Sequence, residues 1–232
     1  MKYIVENSNK IDLHVHTNTS DGKDFEEEII RQALNLGLRY ISITDHNADN
    51  AMDRIDKVQL SKRYGLNIIP GVELSVIHKG KRLHLLAYNY NKAFSKLVVP
   101  KIRKMRNSGK PMTLKAACNL IHMCRGQAVI AHPFNYEYDG KELVEELLKE
   151  KCLDGIECMH SHNTQEEIDY LLDVCEKNDL YVSGGSDYHY SGRLIKGDAE
   201  QHTLGELPVS NSTIEQQLKR AKEKYKTVSK KR

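Results

Sequence analysis

The sequence of 232 residues contains no long hydrophobic run, and its mean hydropathy is −0.60. A transmembrane helix needs about 20 consecutive apolar residues, so a membrane-spanning protein is excluded. The first ten residues, MKYIVENSNK, have no apolar stretch typical of a secretory signal, and we expect the protein in the cytoplasm. No Cys-x-x-Cys pair occurs, and an odd number of cysteines indicates buried thiols in a reducing compartment. The five cysteines are Cys118, Cys124, Cys152, Cys158 and Cys175.

Positive charge is concentrated at the C-terminal end of the sequence. The chain carries a formal charge of +3, but eight basic residues and one glutamate give the segment Lys219–Arg232 a charge of +7, so the remainder sums to −4. Such a run is typical of a solvated helix face with a frayed tail, and a nucleic-acid-binding arm is the alternative. We predict one domain over residues 1–210 and a C-terminal helix with a basic tail over residues 211–232.

Short apolar segments alternate with amphipathic helical patterns along most of the chain. The strand-like segments are Ile11–His16, Arg39–Thr44, Leu66–Glu73, Arg82–Tyr90, Gln127–His132, Gly155–Met159 and Leu180–Ser186. Helices are predicted near Asp24–Leu36, Asp49–Tyr64, Thr113–Cys124, Gly140–Lys151, Thr164–Asn178 and Thr213–Tyr225. This alternation predicts parallel strands in an α/β fold and favours a TIM-like barrel over an open sheet. The sequence HKGK at 78–81 predicts one hairpin turn that interrupts the alternation.

Histidine and carboxylate side chains recur at the ends of the predicted strands. An isolated histidine is more often a core residue bonded to a backbone carbonyl than a ligand. In α/β barrels, however, the chemistry lies at the C-terminal ends of the strands, so polar residues at nearly every strand end predict a shared site. These residues are His14, His16, Asp45, His46, Glu73, His132, His160, Asp187 and His189, and His84 lies inside its strand.

The types of these side chains indicate which cofactor they would bind. Imidazoles mixed with carboxylates suit Zn²⁺, Mn²⁺ or Fe, whereas Mg²⁺ and Ca²⁺ are bound mostly by oxygen atoms. More candidate ligands are present than one ion can hold. At least two ions that share a carboxylate are therefore predicted, an arrangement that clamps a phosphoryl group during displacement.

Six short motifs occur in a fixed order: DLHVHTNTSDG, ITDHN, PGVE, HLLAY, AHPF and GGSDYH. Together they closely resemble the motifs of PHP-domain metallophosphoesterases, the polymerase and histidinol phosphatase superfamily, from Asp12 to about Arg193. The resemblance implies a distorted (β/α)7 barrel and a trinuclear centre of divalent Mn, Fe or Zn ions. Relatives carry a helical insertion between the fourth and fifth strand motifs, and only a short one is predicted here, at about 94–125.

The resemblance also implies which residues hold each ion. The first ion would be held by His14, His16, Glu73 and Asp187. Glu73 would bridge to the second ion, whose remaining ligands are His84 and His132. The third ion would be held by Asp21, His46 and His189.

By the same resemblance, the protein is predicted to be a phosphoesterase that hydrolyses phosphomonoesters or short nucleotide phosphodiesters through a metal-bridging hydroxide. Glu73, Asp187 and His189 are the predicted catalytic residues. The expected partner is a small phosphorylated substrate, a nucleotide or short oligonucleotide, with no membrane and no obligate protein partner. The alternatives are a histidinol phosphate phosphatase, a non-catalytic metal- and nucleotide-binding barrel, and an amidohydrolase, which the absence of a lysine at a strand end disfavours.

Substrate contacts are predicted for His160, Asn47 and Arg193, with a loop position or a solvated side chain as the alternative. Asp12 is expected to bond the backbone or a neighbouring imidazole, and Asp45 to support a ligand or close its own turn. The insertion carries a basic run that could attract polyanions, although a solvent-facing helix side accounts for it equally. This run consists of Lys101, Arg103, Lys104, Arg106 and Lys110.

Overall fold

A computed structural model of the protein describes residues 11–190 and 203–205. The strands are β1 Ile11–Val15, β2 Tyr40–Ile43, β3 Asn67–Ile68, β4 Gly71–His78, β5 Lys81–Tyr88, β6 Met112–Thr113, β7 Gln127–Ile130, β8 Gly155–His160 and β9 Tyr181–Gly185. The helices are α1 Glu26–Asn35, α2 Lys57–Tyr64, α3 Val99–Asn107, α4 Leu114–Met123, α5 Gly140–Leu148 and α6 Gln165–Lys177. A 3-10 helix spans Asn50–Arg54 and a π-helical turn spans Phe94–Val98. The helix and basic tail predicted over residues 211–232 lie outside the described residues.

Local sequence signals set the ends of several helices. The Thr164 hydroxyl caps α6 by accepting from the backbone of Glu167, while the Glu167 side chain accepts from the backbone of Thr164. Gly65 ends α2 in the left-handed conformation, at φ 71°. The single helix predicted over 49–64 is two, the 3-10 helix and α2. Within the described part of the chain, no helix combines the length and apolar character needed to cross a membrane.

The strands form two sheets, and their pairing corrects the prediction of parallel strands with a single hairpin, because β5 pairs antiparallel with a second strand as well. One sheet has the order β1-β2-β3 and is parallel, and the other has the order β6-β4-β5-β7-β8-β9. In the second sheet β5 pairs antiparallel with both β4 and β7. The β4–β5 connection is the predicted hairpin turn, with positive φ at Lys79 and Gly80.

The two sheets meet at two seams, and a glycine permits the close approach at each one. A Cβ atom on Gly185 would lie 2.3 Å from the Cβ and backbone nitrogen of His14, and one on Gly71 would lie 2.0 Å from the Ser42 hydroxyl. Isolated bridges join Val15 to Tyr188 at one seam and His46 to Glu73 at the other. The α/β class is confirmed, but within the described residues the sheets do not join into a closed barrel.

The larger apolar core lies between the six-stranded sheet and helices α3 to α6. A smaller core, which includes Ile29, Ala33, Ile41 and Leu66, packs α1 against the three-stranded sheet. The buried thiols predicted from composition are confirmed for four cysteines, whereas Cys124 is only partly buried. These two cores hold the strand ends in fixed positions, and the polar residues of the site project from those ends.

Candidate metal centre

The nine side chains predicted to bind metal lie within the described residues and converge on one region. Most lie at or beyond the carboxyl ends of strands, whereas Glu73 departs from that prediction and His84 lies inside its strand, as predicted. Glu73 is the third residue of β4, because Pro70 separates β3 from a strand that then continues to His78. His84 lies in the middle of β5.

At the bottom of the site, two imidazole nitrogens lie within 3.4 Å of two carboxylate oxygens. His14 Nε2 lies 3.4 Å from Glu73 Oε2 and 3.3 Å from Asp187 Oδ1. His16 Nε2 lies 3.4 Å and 3.0 Å from the same two oxygens. Ligands bound at about 2.1 Å to one tetrahedral ion would be about 3.4 Å apart, so these atoms need little movement to share an ion.

The second carboxylate oxygen of Glu73 faces a different pair of imidazoles. Its Oε1 lies 3.1 Å from His84 Nδ1 and 3.2 Å from His132 Nε2. Because Oε2 faces His14 and His16, the two oxygens of one buried carboxylate point at two ligand sets. This is the geometry of a carboxylate that bridges two ions.

A third group lies nearer the solvent. Asp21 Oδ2 is 3.3 Å from His46 Nε2, and Asp21 Oδ1 is 3.6 Å from His189 Nε2. The Asp21 side chain is 51% exposed, whereas those of His14 and His16 are fully buried. His46 also reaches inward, since its Nδ1 lies 2.9 Å from Glu73 Oε2. His46 therefore joins the outer group to the bridging carboxylate.

Unpaired polar atoms indicate that this region is built to hold cations. Among the described residues, the buried atoms His14 Nε2, His16 Nε2, His46 Nδ1 and Glu73 Oε2 lie close to one another or to Asp187, but none of them is in hydrogen-bond geometry. Leaving a buried polar atom unpaired costs about 1–3 kcal/mol. Four such atoms that face one another, from imidazoles and a carboxylate, fit divalent ions of the Zn, Mn or Fe type.

The charges in the site perturb each other strongly. Burial disfavours the charged form of His46, but Glu73 and Asp21 raise its pKa to about 10. Burial likewise opposes ionisation of Glu73, yet His84, His14 and His46 hold its pKa well below the usual value. Protons on the imidazoles thus balance the carboxylates where metal ions would otherwise do so. Metal ions must displace these protons, so metal affinity falls as the pH falls.

Sequence reasoning missed Glu157, which orients two of the predicted ligands. This fully buried carboxylate in β8 lies 2.9 Å from His14 Nδ1, and its other oxygen accepts a 2.9 Å hydrogen bond from the backbone nitrogen of His132. A bond at Nδ1 fixes the ring so that Nε2 faces the site. The available signal was a glutamate between the apolar residues Ile156 and Cys158 of a buried strand.

The two aspartates expected to support the site do so through hydrogen bonds. Asp12 accepts from the Ser186 hydroxyl at 2.6 Å and from the backbone nitrogens of His14 and Ser186, which confirms the backbone role. Asp45 accepts from the backbone and hydroxyl of Thr17 and from the Ser20 hydroxyl, each at 2.7 Å. Asp45 thereby fixes the loop that carries Asp21.

The three predicted substrate contacts have different surroundings. His160 is buried, with Nε2 3.6 Å from Asp187 Oδ2, so it lies beside the first ligand set. Asn47 is also buried, and its side-chain amide bonds both the backbone nitrogen and the hydroxyl of Ser75. Arg193 lies outside the described residues. Substrate contact by these residues stays a prediction.

A cavity of about 350 Å³ gives access to the cluster. Asp21, His46, Glu73, His84 and His132 line one part of it, and Asn135, Tyr136 and His162 line another. The Nδ1 atom of His162 lies 2.9 Å from the Asn135 side-chain oxygen. Members of all three ligand groups therefore border the cavity.

The α/β scaffold, its buried histidine–carboxylate cluster and the cavity above that cluster define a metal-dependent hydrolase. The PHP domain model matches residues 12–186, about three quarters of the sequence, and the chain belongs to the PHP domain family. The resemblance of the six motifs to that family is therefore confirmed.

Individual relatives agree with this assignment. The chain is 24% identical to a 5'-3' exoribonuclease of Haemophilus influenzae, over 78% of this chain and 90% of that one. It is 22% identical to a 3',5'-nucleoside bisphosphate phosphatase of Chromobacterium violaceum, over 78% and 88%. A crystal structure assigned as a metal-dependent phosphoesterase, from Bifidobacterium adolescentis, has the same fold, with a TM-score of 0.72, 20% identity and coverage of 91% and 96%. The predicted class, a hydrolase of phosphoric ester bonds, is confirmed.

Proposed function

We propose that the protein hydrolyses phosphate esters of nucleotides or short oligonucleotides at a trinuclear metal centre. The observation that carries this proposal is the position of Glu73, whose two buried oxygens face separate imidazole pairs at 3.1 to 3.4 Å. A bridging carboxylate places two ions side by side, and paired ions suit the displacement of a phosphoryl group.

The ligand sets in this proposal follow the three groups in the site. His14, His16, Glu73 and Asp187 hold the first ion, Glu73, His84 and His132 the second, and Asp21, His46 and His189 the third. When bound, such ions lower the pKa of a coordinated water and neutralise phosphate oxygens. We further propose that the two sheets are the two parts of the distorted (β/α)7 barrel, and the bridges at both seams support this.

The protein's own residues position the substrate and manage protons. Glu157 and Asp12 hold the deep ligands in place, so the arrangement is formed before the substrate arrives. His189 Nδ1 lies 2.8 Å from the backbone oxygen of Asp187, which leaves its Nε2 to hold the third ion together with Asp21. His162, which lines the cavity and belongs to none of the proposed ligand sets, is then the imidazole that can protonate the departing alcohol. His160 beside Asp187 is the nearest further imidazole to the first ligand set.

The nucleotide class of substrate rests on the relatives, which are named for action on RNA and on nucleoside bisphosphates. Histidinol phosphate is the alternative within the same chemistry. A binding module without turnover is disfavoured by the open cavity, which lets solvent and substrate reach the cluster.

A substrate panel with Mn²⁺ supplied tests the proposal. It includes p-nitrophenyl phosphate, bis-p-nitrophenyl phosphate, histidinol phosphate, mono- and bisphosphorylated nucleotides and a short oligonucleotide. We expect turnover of nucleotide esters that is lost in Glu73→Gln and retained in Glu146→Gln, a matched change of a glutamate that pairs with Lys79 and Lys81 instead. Inertness toward every ester, with metal bound, would overturn the proposal.

A further inference from the structure

A second cavity, of about 600 Å³, adjoins the metal centre and is bordered by arginines. It shares Asp21 and His46 with the cavity over the cluster. Its remaining lining includes Arg54, Arg103 and Arg106, together with polar side chains such as Asn18 and Asn107. The outer predicted metal ligands therefore lie between the deep site and a cationic chamber.

The basic run of the insertion divides into two faces of α3. Arg103, Arg106 and Asn107 follow the i, i+3, i+4 spacing that places side chains on one side of a helix, and all three line the second cavity. Lys101 and Lys104 do not line this cavity, although they are exposed like the two arginines. Of this basic run, only Arg103 and Arg106 line the second cavity. The alternative prediction, a solvent-facing side of the helix, applies to Lys101 and Lys104.

The arginines differ in how much of their charge is already neutralised. Arg54 pairs with Glu26 and donates to the Thr19 hydroxyl at 3.0 Å. Arg103 donates from Nε to the backbone oxygen of Asn47 at 2.8 Å, which fixes the guanidinium beside the strand end that carries His46. Within the described residues, no carboxylate lies within ion-pair distance of Arg103 or Arg106. Two guanidinium groups therefore border the chamber, which Asp21 also lines, without an ion pair to any carboxylate in the described part of the chain.

We propose that Arg103 and Arg106 form a subsite for a second phosphate group of the substrate, one that is not cleaved while the first is held at the metal centre. This inference rests on the proposed function and narrows it to substrates with two or more phosphates. A guanidinium presents paired donors that match a phosphate, and hydrogen bonds between charged groups are shorter and stronger than neutral ones. The second phosphate has two sources, a bisphosphorylated nucleoside or the next phosphodiester of an oligonucleotide.

The test compares adenosine 5'-monophosphate, adenosine 3',5'-bisphosphate and a 5'-phosphorylated adenosine trinucleotide as substrates of the Mn²⁺-supplied protein. For the wild type we expect a higher kcat/KM with a two-phosphate substrate than with the monophosphate. Arg106→Ala should lower that ratio about 10- to 100-fold, mainly through KM. Arg106→Lys should lower it less, because lysine keeps the charge and loses the paired donors. Lys104→Ala, on another side of the same helix, should leave the ratio within about twofold.

A binding measurement separates this inference from the proposed function. Calorimetric titration of the full-length, Mn²⁺-loaded protein with non-hydrolysable phosphonate analogues of the mono- and bisphosphate gives affinities without turnover. Tighter bisphosphate binding that is lost in Arg106→Ala supports the subsite even if no ester is cleaved, an outcome that refutes only the proposed function. If the monophosphate is cleaved but Arg106→Ala and Lys104→Ala have equal ratios and affinities, the subsite is refuted and the phosphoesterase stands. The trinucleotide arm identifies which of the two sources the subsite prefers.

Discussion

Imidazole–carboxylate groups occur at both ends of β7 and β8, and they differ in whether their buried polar atoms form hydrogen bonds. At the amino ends, Asp154 Oδ2 accepts from the backbone nitrogen of Ala128 at 2.9 Å and lies 2.7 Å from His122 Nε2. The carboxyl ends of the same strands border the candidate metal centre, in which His14, His16 and Glu73 each have a buried atom without a hydrogen bond among the described residues. The first group is satisfied by its own contacts and stabilises the chain. The second has buried nitrogen and oxygen atoms that a cation would satisfy, which supports the proposed metal site.

Among the proposed variants, Glu73→Gln should have the largest effect on the candidate metal centre. The amide keeps the shape of the side chain, but it removes the charge and places a donor among imidazoles that need a shared anion. We expect kcat/KM to fall about 1,000-fold or more and metal content to drop, as measured by steady-state kinetics and elemental analysis. Normal metal content together with normal turnover in this variant would contradict the bridging role.

Glu157→Gln tests whether the carboxylate that contacts His14 and His132 contributes to metal affinity. The variant weakens the contact that fixes His14 and leaves every proposed ligand in place. We expect metal affinity to fall about 10- to 100-fold, measured by competition with a chelator of known affinity. Asp154→Asn is the matched control, because it alters a buried aspartate beside a histidine at the opposite strand ends. If the two variants bind metal with equal affinity, Glu157 does not support the metal ligands.

Asp154→Asn itself should affect stability and leave function intact. Its carboxylate joins α4, through His122, to the start of β7. We expect the free energy of unfolding to fall by about 1–3 kcal/mol, measured by urea denaturation of the metal-free protein. Turnover per folded molecule should stay that of the wild type. A loss of turnover as large as that of Glu157→Gln would mean that the two ends of the strands are coupled.

The sequence alone predicted that most of these side chains would come together, because most are adjacent to strand residues with a clear pattern, whereas Asp21 was predicted only from the resemblance to the PHP family. His14 and His16 alternate with Leu13 and Val15 along and just beyond β1, and Asp187 and His189 follow the two glycines that end β9. Strand and helix bounds also agreed to within a few residues where caps or turns marked them, as at Thr164.

Other features depend on contacts between distant parts of the chain and could not be predicted. Glu157 meets His14 across 143 positions, and no local pattern encodes that pairing. The antiparallel placement of β5 follows from the tight turn at Lys79 and Gly80, but its second partner, β7, starts 39 residues after β5 ends. The two seams between the sheets depend on the close approach of Gly71 to Ser42 and of Gly185 to His14, residues that are far apart in the sequence. Short-range patterns therefore predict elements, while the closure of the site is a property of the fold.

A third charged group, the ion pairs of Glu146 at the β4–β5 hairpin, is more exposed than the other two groups. Its removal should have the smallest effect on stability. Glu146 pairs with Lys79, 2.9 Å away, and with Lys81, and the hydrogen bonds from Lys81 and Lys79 lower its pKa to about 2. Because this pKa is lower in the folded than in the unfolded chain, the pairing stabilises the fold above about pH 4.5 and ceases to do so as the pH falls toward 2. Solvent screens both lysines, so Glu146→Gln should cost less than about 1 kcal/mol at neutral pH. Urea denaturation at several pH values should show that the difference in the free energy of unfolding between the variant and the wild type shrinks below about pH 4.5. A difference that stays constant with pH would mean that Glu146 stabilises the fold by packing and not by its charge.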